Sequence, residues 1–296
     1  MINFIDYFYN MKIENVKNNN KYYSFLYSGY LYKLYNIDNK IDINLVIGIN
    51  RQMIKNTLVD KIIINKYGSY ISTTSNNSYI LVKVYSYYDK VTINDITFLV
   101  NSLYTNKIER NWGMLWSKKI DYLEDLINQF GKQYPLIVDS FNYYVGMCEN
   151  AISYYNSIKI DYNYTYYIAH KVLREDDMVD SLYNPLNIIF DYKVRDVAEY
   201  IKKAFFLKSN NIMMEIRNYL NNNILSVTDI KLLVSRLLYP SFYFEMYEDI
   251  LVDKKDEKIL INYTNKTCEY EHYLAEIISY LHKYFDIDEI LWLKEK

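Results

Sequence analysis

The stretch from Tyr167 to Phe206 reads YIAHKVLREDDMVDSLYNPLNIIFDYKVRDVAEYIKKAFF and decides the fold. His170 ends one apolar run, and Asp191 ends a second run that starts at Leu186. A helical pattern that carries Asp196 begins directly afterwards. Polar and charged side chains at the ends of two buried strands are typical of an active-site segment. The stretch therefore predicts a site built around His170 and Asp191.

This order is typical of phosphotransferases with a kinase-like fold. In those enzymes a His-x-Asp-x-x-x-x-Asn loop supplies the catalytic base and a metal ligand, and an aspartate after the next strand holds Mg²⁺. Here Val172 stands at the base position and Asp177 at the Asn position, whereas His170 and Asp191 match. A valine cannot accept a proton or orient a hydroxyl. The segment predicts a kinase-like scaffold whose chemistry is damaged or rebuilt. Asp191 is either the metal ligand or a scaffold residue at the end of its strand, because Asp196 follows it after only five residues.

Further stretches of the chain resemble one branch of the aminoglycoside phosphotransferase/choline kinase group. That branch is the spore-coat-associated CotS/YutH-type kinase-like family of Gram-positive bacteria. The stretches are GMLWSKKIDYLED (113–125), FNYYVGMCENAISYY (141–155), LYNPLNIIFDYKVRDVAEYIKKAFF (182–206), SRLLYPSFYFEMYED (235–249) and DEILWLKEK (288–296). The resemblance implies an α+β fold of two lobes, a small antiparallel-sheet N-lobe and a large, mostly helical C-lobe. In a spore-forming organism it also implies a role in coat or cortex assembly.

The resemblance implies a nucleotide site in the N-lobe, with ATP and Mg²⁺ as the expected cofactors. A glycine-rich loop normally covers the phosphates, and a strand lysine, held by a helix glutamate, grips them. The candidates are Gly29 in a Ser-Gly-Tyr hairpin and Lys33, with Lys83 second because its strand comes later. Residues 15–108 contain no glutamate, so we expect no lysine–glutamate pair. The alternatives are a plain turn at Gly29 and a half-exposed strand residue at Lys33.

The acids between and after the two apolar runs have several interpretations. Glu175, Asp176, Asp177 and Asp180 either replace the missing base, collect Mg²⁺, or are solvated loop residues. Arg174 and Arg195 are candidate partners for them. His170 is either a general base or, as we expect, a structural residue. Asp196 and Glu199 suit the positive end of a helix dipole, so we expect Asp196 to order its loop.

Composition bounds the remaining possibilities. The chain has 296 residues, of which 51% are apolar, so it can bury a sizeable core. It contains only 6 Gly and 3 Pro, so we expect no long linker. The net charge is −2, but residues 1–90 carry 11 basic against 6 acidic side chains. This excess suits a phosphate ligand or merely solvated lysines. Without a dense Lys/Arg run, nucleic acid is not an expected partner.

The cysteines and the hydropathy of the sequence indicate the compartment in which the protein is expected to act. Cys148 and Cys268 have no metal-ligand spacing and form no disulfide framework, and Cys148 lies in an apolar helical stretch. We expect a reducing, cytoplasmic compartment, with spore-coat association as the resemblance implies. No run of about 18 apolar residues is present, and the N-terminal residues lack a secretory pattern, so no membrane span or leader is expected.

The pattern of apolar residues predicts a sheet-containing N-lobe over residues 1–90 and a helical C-lobe over residues 91–296, with a hinge at Tyr87–Val91. The predicted N-lobe elements are strands Tyr22–Leu26, Tyr30–Tyr35, Val59–Asn65 and Tyr79–Tyr85, and a helix Ile43–Lys55 capped by Asp42. The predicted C-lobe helices start at Thr92, Trp116, Ser140, Arg195, Asn211, Thr228 and Tyr270. The first of these is expected to reach about Tyr104.

Three functions remain open at this stage. The favoured one is a catalytically impaired kinase-like protein, a pseudokinase, that binds nucleotide or protein partners such as spore-coat proteins. The second is an active but atypical ATP-dependent phosphotransferase on a small hydroxylated substrate, with Asp191 on the metal and an acid of 175–180 as base. The third is a purely structural interaction scaffold with a filled cleft.

Overall fold

A computed structural model describes residues 1–19, 21–37, 42–55, 59–85, 90–173, 178–208, 211–253 and 255–294. The chain forms two compact units, and it crosses between them more than once. The first unit comprises residues 1–91 and 170–189, and the second comprises residues 92–169 and 190–296. An antiparallel sheet dominates the first unit and helices dominate the second. This confirms the predicted α+β class.

The described residues form nine strands and thirteen α-helices, joined by short 3₁₀ turns. The strands are β1 (Lys17–Asn18), β2 (Tyr22–Tyr27), β3 (Tyr30–Ile37), β4 (Lys61–Ile63), β5 (Ser72–Thr73), β6 (Ser78–Lys83), β7 (Tyr104–Thr105), β8 (Tyr166–His170) and β9 (Ile188–Asp191). The helices are α1 (Ile2–Tyr9), α2 (Ile43–Ile54), α3 (Ile93–Val100), α4 (Trp112–Phe130), α5 (Pro135–Ser157), α6 (Met178–Tyr183), α7 (Arg195–Phe206), α8 (Ile212–Asn222), α9 (Val227–Leu238), α10 (Ser241–Asp253), α11 (Ile261–Thr264), α12 (Thr267–His282) and α13 (Leu291–Lys294).

The sheet of the first unit is antiparallel, in the order β1-β2-β3-β6-β4, with β5 also paired to β6. Because side chains alternate along a strand, the sheet has two different faces. One face packs on α1 through a core of Ile5, Tyr9, Phe25, Tyr32, Leu34, Tyr79 and Leu81. The other packs on α2 and on the 3₁₀ turn at Pro185–Asn187 through Val46, Ile62, Ile80, Val82 and Leu186.

Lys33 lies on the second of these faces. It is paired in register with Ser24 of β2 and Val82 of β6, and Val82 belongs to the core that contains Leu186. A hairpin turn joins β2 to β3, with Ser28 at φ 49° and Gly29 at φ 79°. Glycine is well suited to this left-handed conformation, which side chains rarely adopt. The fold thus places Lys33 in the middle of the sheet face that also receives the 178–187 segment.

The second unit is built on helices with a three-stranded sheet of order β7-β8-β9. Two capping boxes start its helices, Thr92 with Asp95 at α3 and Ser226 with Asp229 at α9. Each box satisfies backbone N–H groups that a helix N-terminus otherwise leaves unpaired. The long helices α4 and α5 lie side by side, and α9 contacts both α5 and α7.

Two predicted elements are shorter than expected. The helix that begins after Thr92 ends at Val100, because Tyr104 pairs with Tyr167 and the Leu103 carbonyl accepts a bond from the Ile168 N–H. Strand pairing therefore outcompetes helix propensity in residues 101–104. The strand predicted at Val59–Asn65 is reduced to Lys61–Ile63, because the Asn65 side chain instead accepts bonds from the N–H groups of Tyr67 and Ser69 in a turn.

Candidate functional site

Lys33, the predicted nucleotide lysine, is buried in the first unit with 7% of its surface exposed. Its ammonium forms a short ion pair with the Asp180 carboxylate and lies 4.7 Å from the centroid of the Tyr22 ring. A buried ammonium requires such partners, since leaving a charge unpaired in the interior is very unfavourable. The predicted alternative, a half-exposed strand residue, is therefore wrong.

The carboxylate that holds Lys33 comes from an unexpected place. Helix α2 provides no acid for it, because Asp42 is the N-cap of α2 and accepts a bond from the Leu45 N–H, as predicted. The carboxylate comes instead from Asp180 in α6, a residue that the sequence groups with the acids of a loop. The two partners are 147 residues apart, so no local sequence signal points to the pair. The sequence singled out Asp180 as a candidate base or metal ligand, but its pairing with Lys33 was not predicted.

A cleft of about 940 Å³ opens beside Lys33 in the first unit. Its charged lining consists of Lys12, Lys17 and Lys33 with Glu14, an excess of positive charge. Ligand pockets in proteins typically have about 300–1,000 Å³, so the space suits a nucleotide-sized ligand. Gly29 lies in the β2–β3 turn rather than in the lining, and its predicted nucleotide contact stays a prediction.

Asn187 ties together residues of the segment that begins at His170. His170 ends β8 and is 1% exposed. The Asn187 amide donates to the carbonyls of Val172 and Ser181 at 2.6 Å each, and its oxygen accepts from the Val172 N–H at 3.3 Å. The valine at the base position is therefore part of a backbone clamp. Asp177 lies outside the described residues, as do Arg174, Glu175 and Asp176.

Asp191 ends β9 in the second unit and is 1% exposed. Its Oδ1 accepts from the Trp112 indole N–H at 2.9 Å and from the Tyr192 backbone N–H at 2.8 Å. Its Oδ2 accepts from Arg195 Nη1 at 2.8 Å, in an ion pair whose side chains are 2% and 11% exposed. Arg195, a predicted candidate partner for the acids of residues 175–180, is thus a partner of Asp191.

These contacts test whether the second unit fits the Mg²⁺ ion expected from the fold. A metal-binding carboxylate needs an oxygen open to the ion, and both Asp191 oxygens accept hydrogen bonds from protein donors. The positive charge beside the carboxylate is supplied by Arg195. Over the described ranges, no group of three His, Cys, Asp or Glu side chains is placed to hold a metal ion. The Asp191 carboxylate is thus engaged by three protein donors, and Arg195 already compensates its charge.

A second buried ionic network lies farther along α7. The Glu199 carboxylate accepts from Lys202, Arg236 and Ser241, and Lys202 also donates to the Tyr239 carbonyl and to Ser241. Burial alone would raise the pKa of Glu199, but the positive charges of Lys202 and Arg236 hold it well below its usual range. Burial lowers the pKa of Lys202 to about 7, against the opposing effect of Glu199.

Aromatic side chains and a buried thiol pack around this network. Trp112 and Trp116 are buried and stack on each other with ring centroids 5.4 Å apart, as core residues. Arg236 lies over both rings and links the aromatic stack to Glu199. Cys148 is a buried free thiol whose pKa is raised to about 12 by burial. Asp196 is 1% exposed in the first turn of α7, and its ordering role stays a prediction.

None of the helices in the described part of the chain is long and apolar enough to cross a membrane.

Three solved structures share the fold at low sequence identity. An aminoglycoside phosphotransferase from Alicyclobacillus acidocaldarius superposes with a TM-score of 0.67 at 8% identity, covering 93% of this chain and 94% of that one. A spectinomycin phosphotransferase, solved with ADP and spectinomycin, gives 0.59 at 11% identity with coverages of 93% and 92%. An amicoumacin kinase, solved with AMP-PNP and Ca²⁺, gives 0.54 at 12% identity with coverages of 92% and 90%. These likenesses establish the kinase-like fold.

Sequence comparison gives a narrower family. The endospore coat-associated protein YutH of Bacillus subtilis is 31% identical over 163 residues, which span 50% of this chain and 48% of that protein. The matched region is thus about half the length of this relative. A family model described as "Spore coat putative kinase YutH" matches residues 2–277. The chain therefore belongs to the YutH family of kinase-like spore coat proteins.

Proposed function

We propose that this protein is a pseudokinase of the spore coat, which acts by binding and does not transfer phosphoryl groups. The observation that carries the proposal is the Arg195–Asp191 ion pair, in which a guanidinium stands beside the carboxylate expected to hold Mg²⁺. Phosphoryl transfer depends on metal ions that bridge the phosphates and neutralise the developing charge. Because Arg195 and Trp112 engage this carboxylate, we infer that it does not supply the metal site on which that chemistry depends.

The valine at the position of the catalytic base also supports a pseudokinase. Val172 has no group that can accept a proton, and its backbone is tied to Asn187 by two hydrogen bonds. An enzyme of this class uses a carboxylate at that position to orient the attacking hydroxyl. Two groups that the reaction normally uses are therefore replaced or already engaged, one in each unit.

The cleft of the first unit supports ligand binding without catalysis. It has the volume of a ligand pocket and an excess of lysines, and Lys33 is the candidate for the strand lysine that contacts phosphates in the kinase fold. The spectinomycin phosphotransferase and the amicoumacin kinase that share the fold were solved with ADP and AMP-PNP. We infer that this cleft binds a nucleotide or a similar anionic ligand and needs no metal to do so.

An active, atypical phosphotransferase is the second candidate. The observation that favours it is the buried Lys33–Asp180 pair, since active enzymes of this fold also hold the strand lysine with a carboxylate. Such an enzyme would use ATP with Mg²⁺ and a small hydroxylated substrate, and an acid of the loop after His170 would serve as its base.

Nucleotide turnover separates the two candidates. Purified protein is incubated with ATP and Mg²⁺, and released phosphate and ADP are measured against the Asp191→Asn variant. The pseudokinase proposal predicts no turnover above background in either protein. Turnover that requires Mg²⁺ and disappears in Asp191→Asn would establish the phosphotransferase instead. Binding is followed separately by thermal shift with ADP, where a ligand at about 100 times its Kd stabilises the fold by about 2.7 kcal/mol.

The coat role is tested in cells. A fluorescent fusion of the chain is followed through sporulation of a spore-forming bacterium. If the protein associates with the spore coat, the signal should outline the developing spore. A signal that stays diffuse in the mother cell would contradict the coat assignment.

A further inference from the structure

The ammonium of Lys33 already has an anionic partner inside its own unit. Asp180 of α6 forms the ion pair with it, and the two side chains are 15% and 9% exposed, respectively. In the kinase fold this lysine contacts the α- and β-phosphates of the nucleotide. We propose that Asp180 is an internal competitor for Lys33, so that a phosphate-bearing ligand binds the cleft only as Asp180 gives up the lysine. The inference rests on the ligand binding proposed for this cleft.

The chemistry of the cleft identifies the class of ligand. Lys12 and Lys17 are exposed and line the same space as Lys33, while Glu14 is the acid of the lining. Tyr22 adds an aromatic face next to the ammonium. Clustered lysines beside an aromatic ring suit a polyanion with a flat group, such as a nucleoside diphosphate. Pyrophosphate carries the same charged part without the ring.

Burial makes the competition strong. The attraction between opposite charges grows as the local dielectric falls, so a buried carboxylate neutralises Lys33 far better than an exposed one would. The same negative charge also repels an incoming phosphate. An anion in the cleft therefore meets a lysine whose charge is compensated, and its apparent affinity is reduced by the fraction of molecules in which Lys33 is available.

The pair also links ligand binding to the position of α6. The segment around α6 is held to the first unit by the bond from the Asp60 N–H to the Tyr183 carbonyl, by Leu186 in the core, and by Lys33–Asp180. Withdrawal of Asp180 removes one of these attachments. Ligand binding should therefore loosen α6, in the segment that follows His170, and this gives the protein a ligand-dependent surface.

A different role for Asp180 predicts the opposite behaviour. If Asp180 positions Lys33 for the phosphates, as the helix glutamate does in active kinases, its removal weakens binding. The two roles are separated by the sign of the change in affinity when the carboxylate is replaced by a neutral group.

The test is isothermal titration calorimetry of the full chain with ADP and, separately, with pyrophosphate, both in EDTA. Wild type is compared with Asp180→Asn, with Asp180→Ser as a second neutral variant, and with Asp121→Asn as a control on the exposed side of α4. If Asp180 holds Lys33 in about 90% of molecules or more, the Asp180 variants should bind about tenfold tighter or more. Asp121→Asn should bind like wild type.

Two further measurements complete the test. Lys33→Met should abolish binding both alone and combined with Asp180→Asn, which identifies Lys33 as the group under competition. Hydrogen exchange of wild-type peptides covering 178–187 should become faster on adding ADP. Equal or weaker binding by the folded Asp180 variants, or slower exchange with ADP, would overturn the competition.

The outcomes also separate this inference from the proposed function. If neither wild type nor any variant binds ADP or pyrophosphate, both the competition and the proposed cleft ligand fall. If wild type binds and the Asp180 variants bind no tighter, the cleft ligand stands and the competition alone fails. Phosphate release is measured separately on the same protein preparations, with ATP and Mg²⁺ and without EDTA. This measurement tests for catalysis independently of both binding results.

Discussion

Arg195 and Asp191 form a buried ion pair in which Nη1 of the arginine lies 2.8 Å from Oδ2 of the aspartate. The aspartate ends β9 and the arginine begins α7 four residues later. Together with the Trp112 indole N–H on the other carboxylate oxygen, this pair converts a potential metal ligand into a structural element that connects β9, α4 and α7. The proposed loss of phosphoryl transfer follows from this arrangement.

Replacing Arg195 should strongly destabilise the protein. Arg195→Leu leaves the Asp191 carboxylate buried without its positive partner, and breaking such a pair typically costs about 3–5 kcal/mol. The free energy of unfolding is measured with urea. Adding Asp191→Asn to Arg195→Leu should recover part of the loss, because the uncompensated charge is then gone. A change below about 1 kcal/mol, the usual worth of an exposed pair, would contradict the buried role.

Asn187 should be essential for the order of the segment after His170. Asn187→Leu removes the donor to the partly buried Val172 and Ser181 carbonyls, and the loss of one such hydrogen bond typically costs about 0.5–1.5 kcal/mol. We expect this loss in urea unfolding, together with faster hydrogen exchange at residues 171–173 and 178–183. Asn150→Leu on the exposed side of α5 is the control, since its amide donates to the Gly146 carbonyl of its own helix. Equal effects of both variants would contradict the clamp.

Glu199 should contribute stability that depends on pH. The pKa of its carboxyl is below the ordinary value of 4.5 in the folded protein, despite burial, because Lys202 and Arg236 favour the charged form. A lowered folded pKa gives a contribution that is present above 4.5 and is lost as the pH falls further. Glu199→Gln should cost about 3–5 kcal/mol at neutral pH. The difference from wild type should shrink in acid, and a constant difference would contradict the assignment.

Buried tyrosines should make the protein sensitive to alkali. Burial raises the pKa of Tyr192, Tyr239 and Tyr270 above the ordinary value of 10.0. A raised folded pKa gives stability that is complete below 10.0 and is lost as the pH rises above it. Tyrosinate absorbance and far-ultraviolet circular dichroism are recorded together during an alkaline titration. The buried set should ionise in the same transition that unfolds the chain, and ionisation of all tyrosines before unfolding would contradict this burial.

Much of the local structure could be predicted because it depends on neighbouring residues. Asp42 caps α2 and Thr92 caps α3 as expected, and the Ser28-Gly29 turn joins two strands whose alternating residues divide between two faces. Caps and turns are decided by residues within a few positions of one another. The predicted end of this helix, near Tyr104, is wrong because residues 103–104 pair with β8, which lies more than 60 residues away in the sequence.

The candidate site also combines features that the sequence predicts with features that depend on contacts between distant residues. The sequence by itself determined the fold class and family and the valine at the base position, because these depend on residue identity and order. Only the tertiary structure decided the partners of Lys33 and Asp191. Asp180 reaches Lys33 because α6 packs on one face of the sheet, and Trp112 reaches Asp191 because α4 begins beside the end of β9. Such pairs depend on which buried surfaces meet, and desolvated charges take whichever partners that packing provides.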